Sequence, residues 1–83
     1  MEIITYKVTK DIVITKDTQF NDLQCENVTV AENIITRIYG IINQDLIVEK
    51  NAIVYLHGKV LGEIINNGGT VYGFGPSGKI TTY

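Results

Sequence analysis

The feature that most constrains this chain is an internal repeat. Asn27-Val28-Thr29-Val30-Ala31-Glu32-Asn33, Asp45-Leu46-Ile47-Val48-Glu49-Lys50-Asn51 and Glu63-Ile64-Ile65-Asn66-Asn67-Gly68-Gly69 align at offsets of 18 residues. The same register places Ile35 with Ile53 and Val71, Ile38 with Leu56 and Phe74, and Ile42 with Val60. Asp11-Ile12-Val13-Ile14-Thr15-Lys16-Asp17 fits the template at an offset of 16, and Val8-Thr9-Lys10-Asp11 echoes Ile14-Thr15-Lys16-Asp17 after six residues. Six divides eighteen three times. A chain with this period returns onto itself as a coil of three short faces, each about four residues of strand and two of turn, with coils about 4.8 Å apart. An inward aliphatic side chain then lies over its counterpart in the next coil. The expected fold is all-β: a single-domain parallel β-solenoid of about four coils over residues 1–83, with residues 1–10 as an N-terminal capping segment and 75–83 as a C-terminal cap.

Composition agrees with stacked strands. The chain has 14 Ile, 8 Val and 9 Thr against 4 Leu, 2 Ala and 1 Met, so apolar helix formers are scarce. Asn33, Asn51 and the Asn67-Gly68-Gly69 run fall at equivalent positions, where corners need residues that tolerate left-handed backbone. All eight glycines lie from Gly40 onward, which predicts tighter later coils. The alternative is an antiparallel β-sandwich or barrel, and Asn67-Gly68 is its best hairpin signal. A hairpin sheet, however, supplies no reason for six columns to keep their residue type at offsets of 18.

The net charge of −2 is unevenly distributed. Residues 11–49 hold Asp11, Asp17, Asp22, Glu26, Glu32, Asp45 and Glu49 against Lys16 and Arg37. Phosphate recognition needs clustered Lys and Arg, so this balance opposes nucleic-acid binding and suits a basic protein surface. The chain has no apolar run of spanning length, which predicts no membrane association. A single cysteine, Cys25, rules out an internal disulfide framework and suits a reducing cytoplasm.

Catalytic residue types are sparse: one His, one Ser, one Cys and one Arg. Gly73-Phe74-Gly75-Pro76-Ser77-Gly78 matches G-x-G-x-x-G, but the phosphate cradle needs a following helix and Pro76 removes an amide. Cys25 with His57, or Ser77 with His57, lacks any supporting spacing. His57 falls in the column of Tyr39 and Gly75, a lateral surface position. Metal binding needs a cluster of ligands that the sequence does not show. The expectation is a non-enzyme with no cofactor and no metal.

Residues 46–65, from Leu46-Ile47-Val48-Glu49-Lys50-Asn51 through His57-Gly58-Lys59-Val60-Leu61-Gly62-Glu63-Ile64-Ile65, resemble the bactofilin pattern. In that family an aliphatic strand, a turn with a small residue and x-G-x-V-x-G-x-I corners recur in each coil. The resemblance extends over about residues 27–75 and implies a triangular right-handed β-helix that stacks end to end into filaments without nucleotide. The chain departs from the family in having no polar tails and only about four coils.

The expected partner interface comprises Arg37, Tyr39, Tyr55 and Tyr72, with Asp22, Glu26 and Glu32 supplying acidic contacts. Tyr39, Tyr55 and Tyr72 recur at intervals of 16 and 17 near glycines and are expected to form one stacked ladder, with Arg37 on the same side two residues before Tyr39. Tyrosine and arginine combine large contact area with a polar end. Two function classes follow. One is a stoichiometric binder, such as an immunity or inhibitor protein that neutralises a toxin with a basic domain. The other is a bactofilin-like self-assembling scaffold. Two capped ends would favour a homodimer through lateral faces over filaments.

Overall fold

The computed structural model describes the backbone of residues 1–73 and 79–82, and the side chains of residues 1–73 and of Thr81. Among these residues there is no helix. Ten strands run in chain order: β1 (Glu2–Ile4), β2 (Ile12–Ile14), β3 (Thr18–Cys25), β4 (Val28–Val30), β5 (Ile35–Ile42), β6 (Leu46–Val48), β7 (Ile53–Val60), β8 (Glu63–Asn66), β9 (Thr70–Tyr72) and β10 (Lys79–Thr82). Odd-numbered strands form one five-stranded sheet in the order β1-β3-β5-β7-β9, and even-numbered strands form a second in the order β10-β8-β6-β4-β2. All pairings are parallel. Each coil therefore gives one strand to each sheet, which makes the chain a β-solenoid of about four turns.

The 18-residue register is that of the central coils. Ile35 pairs with Ile53, Ile42 with Val60, and Leu46 with Ile64. Inward side chains stack in columns: Val28 under Leu46 and Ile64, Val30 under Val48, Phe20 under Ile38 and Leu56, and Cys25 under Ile42 and Val60. Every one of these residues is buried, as are Ile14, Leu23, Ala52 and Val54. Burying a Val, Leu or Ile side chain contributes roughly 1.5–3 kcal/mol, so each column stabilises the coil above and below it. Thr36 is fully buried in the column between Thr18 and Val54. Its Oγ1 donates to the Thr18 carbonyl at 2.6 Å, which removes the penalty of an unpaired hydroxyl.

The coils depart from three equal faces. One side is a three-residue strand, and the rest of the coil is an eight-residue strand that turns a corner internally. In β5 the inward positions are Thr36 and Ile38, then Ile42, with Gly40 between them. Gly40 has φ 149°, and a Cβ there would run into the carbonyl oxygen of Leu23. A Cβ on Gly58 would likewise meet the carbonyl oxygen of Gly40. Backbones thus press together where the strand bends, and only glycine fits. In β3 the same bend is made by an irregularity between Phe20 and Leu23. It shifts the pairing from Thr18 with Thr36 to Leu23 with Gly40, a change from 18 to 17 residues.

The first coil closes in 16 residues, the offset expected for Asp11 to Asp17, pairing Glu2 with Thr18 and Ile12 with Val28. One adjustment alters the expected register. Farther along, Thr70 rather than Val71 pairs with Ile53, and Val71 pairs with Val54. The reason is a shortened corner: Glu49 to Ala52 connects β6 to β7, whereas the three residues Asn67-Gly68-Gly69 connect β8 to β9. Asn66 closes this turn, its Oδ1 accepting from Gly69 N at 2.7 Å and from Gly68 N at 3.2 Å. Asn67-Gly68 continues the coil and does not reverse it as a hairpin would. Asn33 and Asn51 hold the preceding corners with φ of 64° and 62°.

Another corner is stitched by side chains. Asp11 Oδ1 accepts from Asn27 N at 3.0 Å, Asn27 Oδ1 from Asp45 N at 3.3 Å, and Asp45 Oδ1 from Glu63 N at 3.0 Å. Glu63 in turn accepts from Thr81 Oγ1. Asp17 does the same at a different corner, accepting from Ile35 N at 2.9 Å. Three of the seven acidic residues between positions 11 and 49 therefore accept from backbone amides of the next coil.

Residues 1–10 enter the stack as part of its first coil. Besides β1, Val8 forms a parallel bridge with Leu23. At the other end, β10 adds a parallel rung on β8, while the remainder of the expected cap, residues 75–78 and Tyr83, lies outside the described residues.

Candidate functional site

Alternation along β5 and β7 sends Ile35, Arg37 and Tyr39, and Ile53, Tyr55 and His57, to the outside of the first sheet. Parallel pairing then sets them in rows. Gln19 lies beside Arg37, Arg37 beside Tyr55, and Tyr55 beside Tyr72. The Arg37 guanidinium carbon sits 4.6 Å from the Tyr55 ring centroid, and the Tyr55 and Tyr72 rings stack at 5.3 Å with 19° between planes. Tyr39 stacks on His57 at 4.5 Å and 10°. Guanidinium and ring stacking of this kind contributes about 0.5–1 kcal/mol per exposed contact and holds long side chains in one rotamer.

The expected single ladder of Tyr39, Tyr55 and Tyr72 is not what forms. Strand pairing imposes an 18-residue step between β5 and β7, so Tyr39 meets His57, not Tyr55. The shortened corner then brings Tyr72 over Tyr55 at a 17-residue step. Two neighbouring columns replace one: Arg37-Tyr55-Tyr72 and Tyr39-His57. Arg37 takes its expected place on the side of Tyr39. His57 takes its expected place in the column of Tyr39. Ile35 and Ile53 join the face although residue type did not single them out; the signal that finds them is the 18-residue offset read together with alternation.

Tyr72 is 51% exposed, and Ile35 and Tyr39 are each 38% exposed. The face is thus ordered, aromatic and still accessible. Asp22 precedes Leu23 as Tyr39 precedes Gly40, which sets it at the border of the Tyr39 column one coil earlier. Its Oδ1 accepts from Gln24 Nε2 at 3.1 Å. Glu26 lies at the corner between β3 and β4, and Glu32 at the corner between β4 and β5. The three acidic residues therefore stand at three different corners of the coil, and only Asp22 adjoins the aromatic face.

Cys25 is fully buried, with its thiol donating to the Lys10 carbonyl at 2.9 Å. Burial, with a smaller contribution from the Asp11 charge, pushes its pKa above the usual thiol value. A neutral interior thiol is a poor nucleophile. His57 lies outside the sheet and Cys25 inside it, so the two do not meet. Among the described residues no three His, Cys, Asp or Glu side chains form a metal-binding group, and no helix is long and apolar enough to cross a membrane. Ser77 and most of the glycine-rich Gly73–Gly78 motif lie outside the described residues. Comparison with protein-family models, curated proteins and solved structures finds no significant match for this chain.

Proposed function

We propose that this chain is a non-catalytic protein-binding solenoid that captures one partner protein on the outer face of its first sheet. The observation that carries this reading is the registered pair of columns, Arg37-Tyr55-Tyr72 and Tyr39-His57. Their stacking restricts the side chains before a partner arrives, which lowers the entropic cost of binding. Tyr and Arg are also the residue types that concentrate binding energy at interface centres. A stoichiometric inhibitor or immunity protein, working in the cytoplasm against a toxin, fits a small domain that offers a rigid surface. Asp22 at the border of the face suits a basic residue on that partner.

The test is coexpression with the product of the adjoining gene, followed by light scattering of the purified complex. A one-to-one complex that Arg37→Glu with Tyr39→Glu dissolves, while the variant keeps the far-ultraviolet circular dichroism of the folded chain, supports the reading. A complex indifferent to both substitutions and to Tyr55→Ala overturns it. The second reading is self-association, either as a closed lateral dimer or as a bactofilin-like scaffold. It draws on the exposed Ile35, Tyr39 and Tyr72 and on the parallel stack itself. Mass that grows with concentration without a partner favours that second reading.

A further inference from the structure

The open end of the first coil differs in chemistry from the aromatic face. A groove of about 450 Å³ opens there, with Ile4, Val8, Ile12, Ile14 and Phe20 along its lining. Ile4, Val8, Ile12 and Ile14 are the terminal members of the inward columns, with Phe20 next to Ile4, and Ile4, Val8 and Ile12 are only half-buried. Backbone groups are left open beside them. Glu2 N donates to Asp17 O at 3.0 Å, and Ile12 N donates to Asn27 O at 3.3 Å. Alternate residues of a parallel strand address opposite neighbours, so the amides and carbonyls of Ile3 and Val13 point away from the stack. Ile3 and Val13 are 57% and 60% exposed.

The rim of this end is positively charged. Lys7, Lys10 and Lys16 line the groove, with Glu2 as the one carboxylate among its lining residues. The nearby carboxylates of Asp11 and Asp17 are directed toward the next coil, where they accept from Asn27 N and Ile35 N. An extended segment laid along β2 would receive hydrogen bonds from its open edge, a hydrophobic floor for alternate side chains and ammonium groups for the others. A second copy presenting the same end would set its own three lysines against these, which opposes that occupant.

We propose that the open end of the first coil binds an extended acidic segment of another protein, aliphatic residues alternating with Asp or Glu, added as a parallel strand against the open β2 edge at Val13.

The site is independent of the aromatic face. Its test is fluorescence polarisation with a labelled peptide of about ten residues alternating Val with Glu, beside one with Lys in place of Glu. The acidic peptide is expected to bind at least about tenfold tighter, and to lose about tenfold on raising salt from ~50 to ~500 mM. Lys7→Glu with Lys10→Glu and Lys16→Glu, all at exposed positions, should invert the preference. Val13→Pro should fold, because the lost amide faces away from β4, and should weaken binding. Equal affinity for the two peptides, no saturable binding of the acidic one up to about 1 mM, or amide shift changes confined to residues outside 1–20 would overturn the proposal. So would end-to-end stacking of the chain that the lysine variants abolish, since a second copy would then be the occupant.

Discussion

Gly58→Ala should be among the most damaging single-methyl additions to this protein. The Cβ would collide with the Gly40 carbonyl oxygen, with further contact to the Gly40 carbonyl carbon and nitrogen. All three are backbone atoms in the neighbouring rung, so no side chain can rotate aside. Relief requires β5 and β7 to part by more than about 1 Å at the Gly40-Gly58 pair, beyond the usual strand spacing. Two or three rung hydrogen bonds at about 1 kcal/mol each are then weakened, and overpacking strain adds about 1 kcal/mol more. The expected loss is about 3 kcal/mol. For a domain of this size each kcal/mol lowers the melting temperature by roughly 6 °C, so thermal unfolding followed by far-ultraviolet circular dichroism should shift by about 15–20 °C. Ile41→Ala, one column away and 39% exposed, provides the control and should cost well under about 1 kcal/mol. A Gly58→Ala protein melting within about 3 °C of the wild type would refute the account of the corner as a glycine-only backbone contact.

Other substitutions probe the remaining devices. Thr36→Val keeps shape but removes the donor to Thr18 O, and should cost about 1 kcal/mol in urea unfolding. Tyr55→Ala removes both the Arg37 contact and the Tyr72 stack; a loss of about 1–2 kcal/mol is expected, and a double-mutant cycle with Arg37→Ala should show coupling. Hydrogen bonds from Asn27, first from its backbone amide and then from its side chain, hold the Asp11 carboxyl below its ordinary pKa. A depressed folded-state value stabilises above the unfolded pKa near about 4 and loses that contribution as pH falls through the folded one, so Asp11→Asn should flatten the acid limb of the stability profile. Burial raises the Cys25 pKa, a contribution present below the unfolded value and lost as pH rises through the folded one. Iodoacetamide should therefore label Cys25 slowly at about pH 8 until urea unfolds the chain.

The columns were legible because a buried position repeated in every coil admits few residue types. Val28, Leu46 and Ile64, or Ile38 and Leu56, declare themselves at an offset of 18 for that reason. The corner inside β5 was hidden because its glycine, Gly40, sits in the middle of an eight-residue strand and is required there by contact with the neighbouring backbone. The irregularity between Phe20 and Leu23 and the three-residue Asn67-Gly68-Gly69 corner each change the count by one, and the second of these moved Thr70 over Ile53. That same step decided the aromatic partners. Tyrosines chosen by type suggest one ladder, whereas the rungs pair Tyr39 with His57 and Tyr55 with Tyr72. The acidic residues also have a use in the fold that composition does not reveal, since Asp11, Asp17 and Asp45 accept hydrogen bonds from backbone amides of the next coil.

The Asp11-Asn27-Asp45-Glu63 series has a grammatical direction, each member's oxygen answering a group of the coil that follows. A segment running from Asp45 to Gly62 is therefore a complete clause: it opens with an acceptor, contains its own corner glycine at Gly58 and ends ready for the next amide. Copying that segment in frame should lengthen the molecule by about 4.8 Å without rewriting either neighbour. Each copy also carries Tyr55 and His57 with it. Growth by gene duplication would thus enlarge the outer aromatic surface row by row, making its area a quantity that evolution or design can set by counting.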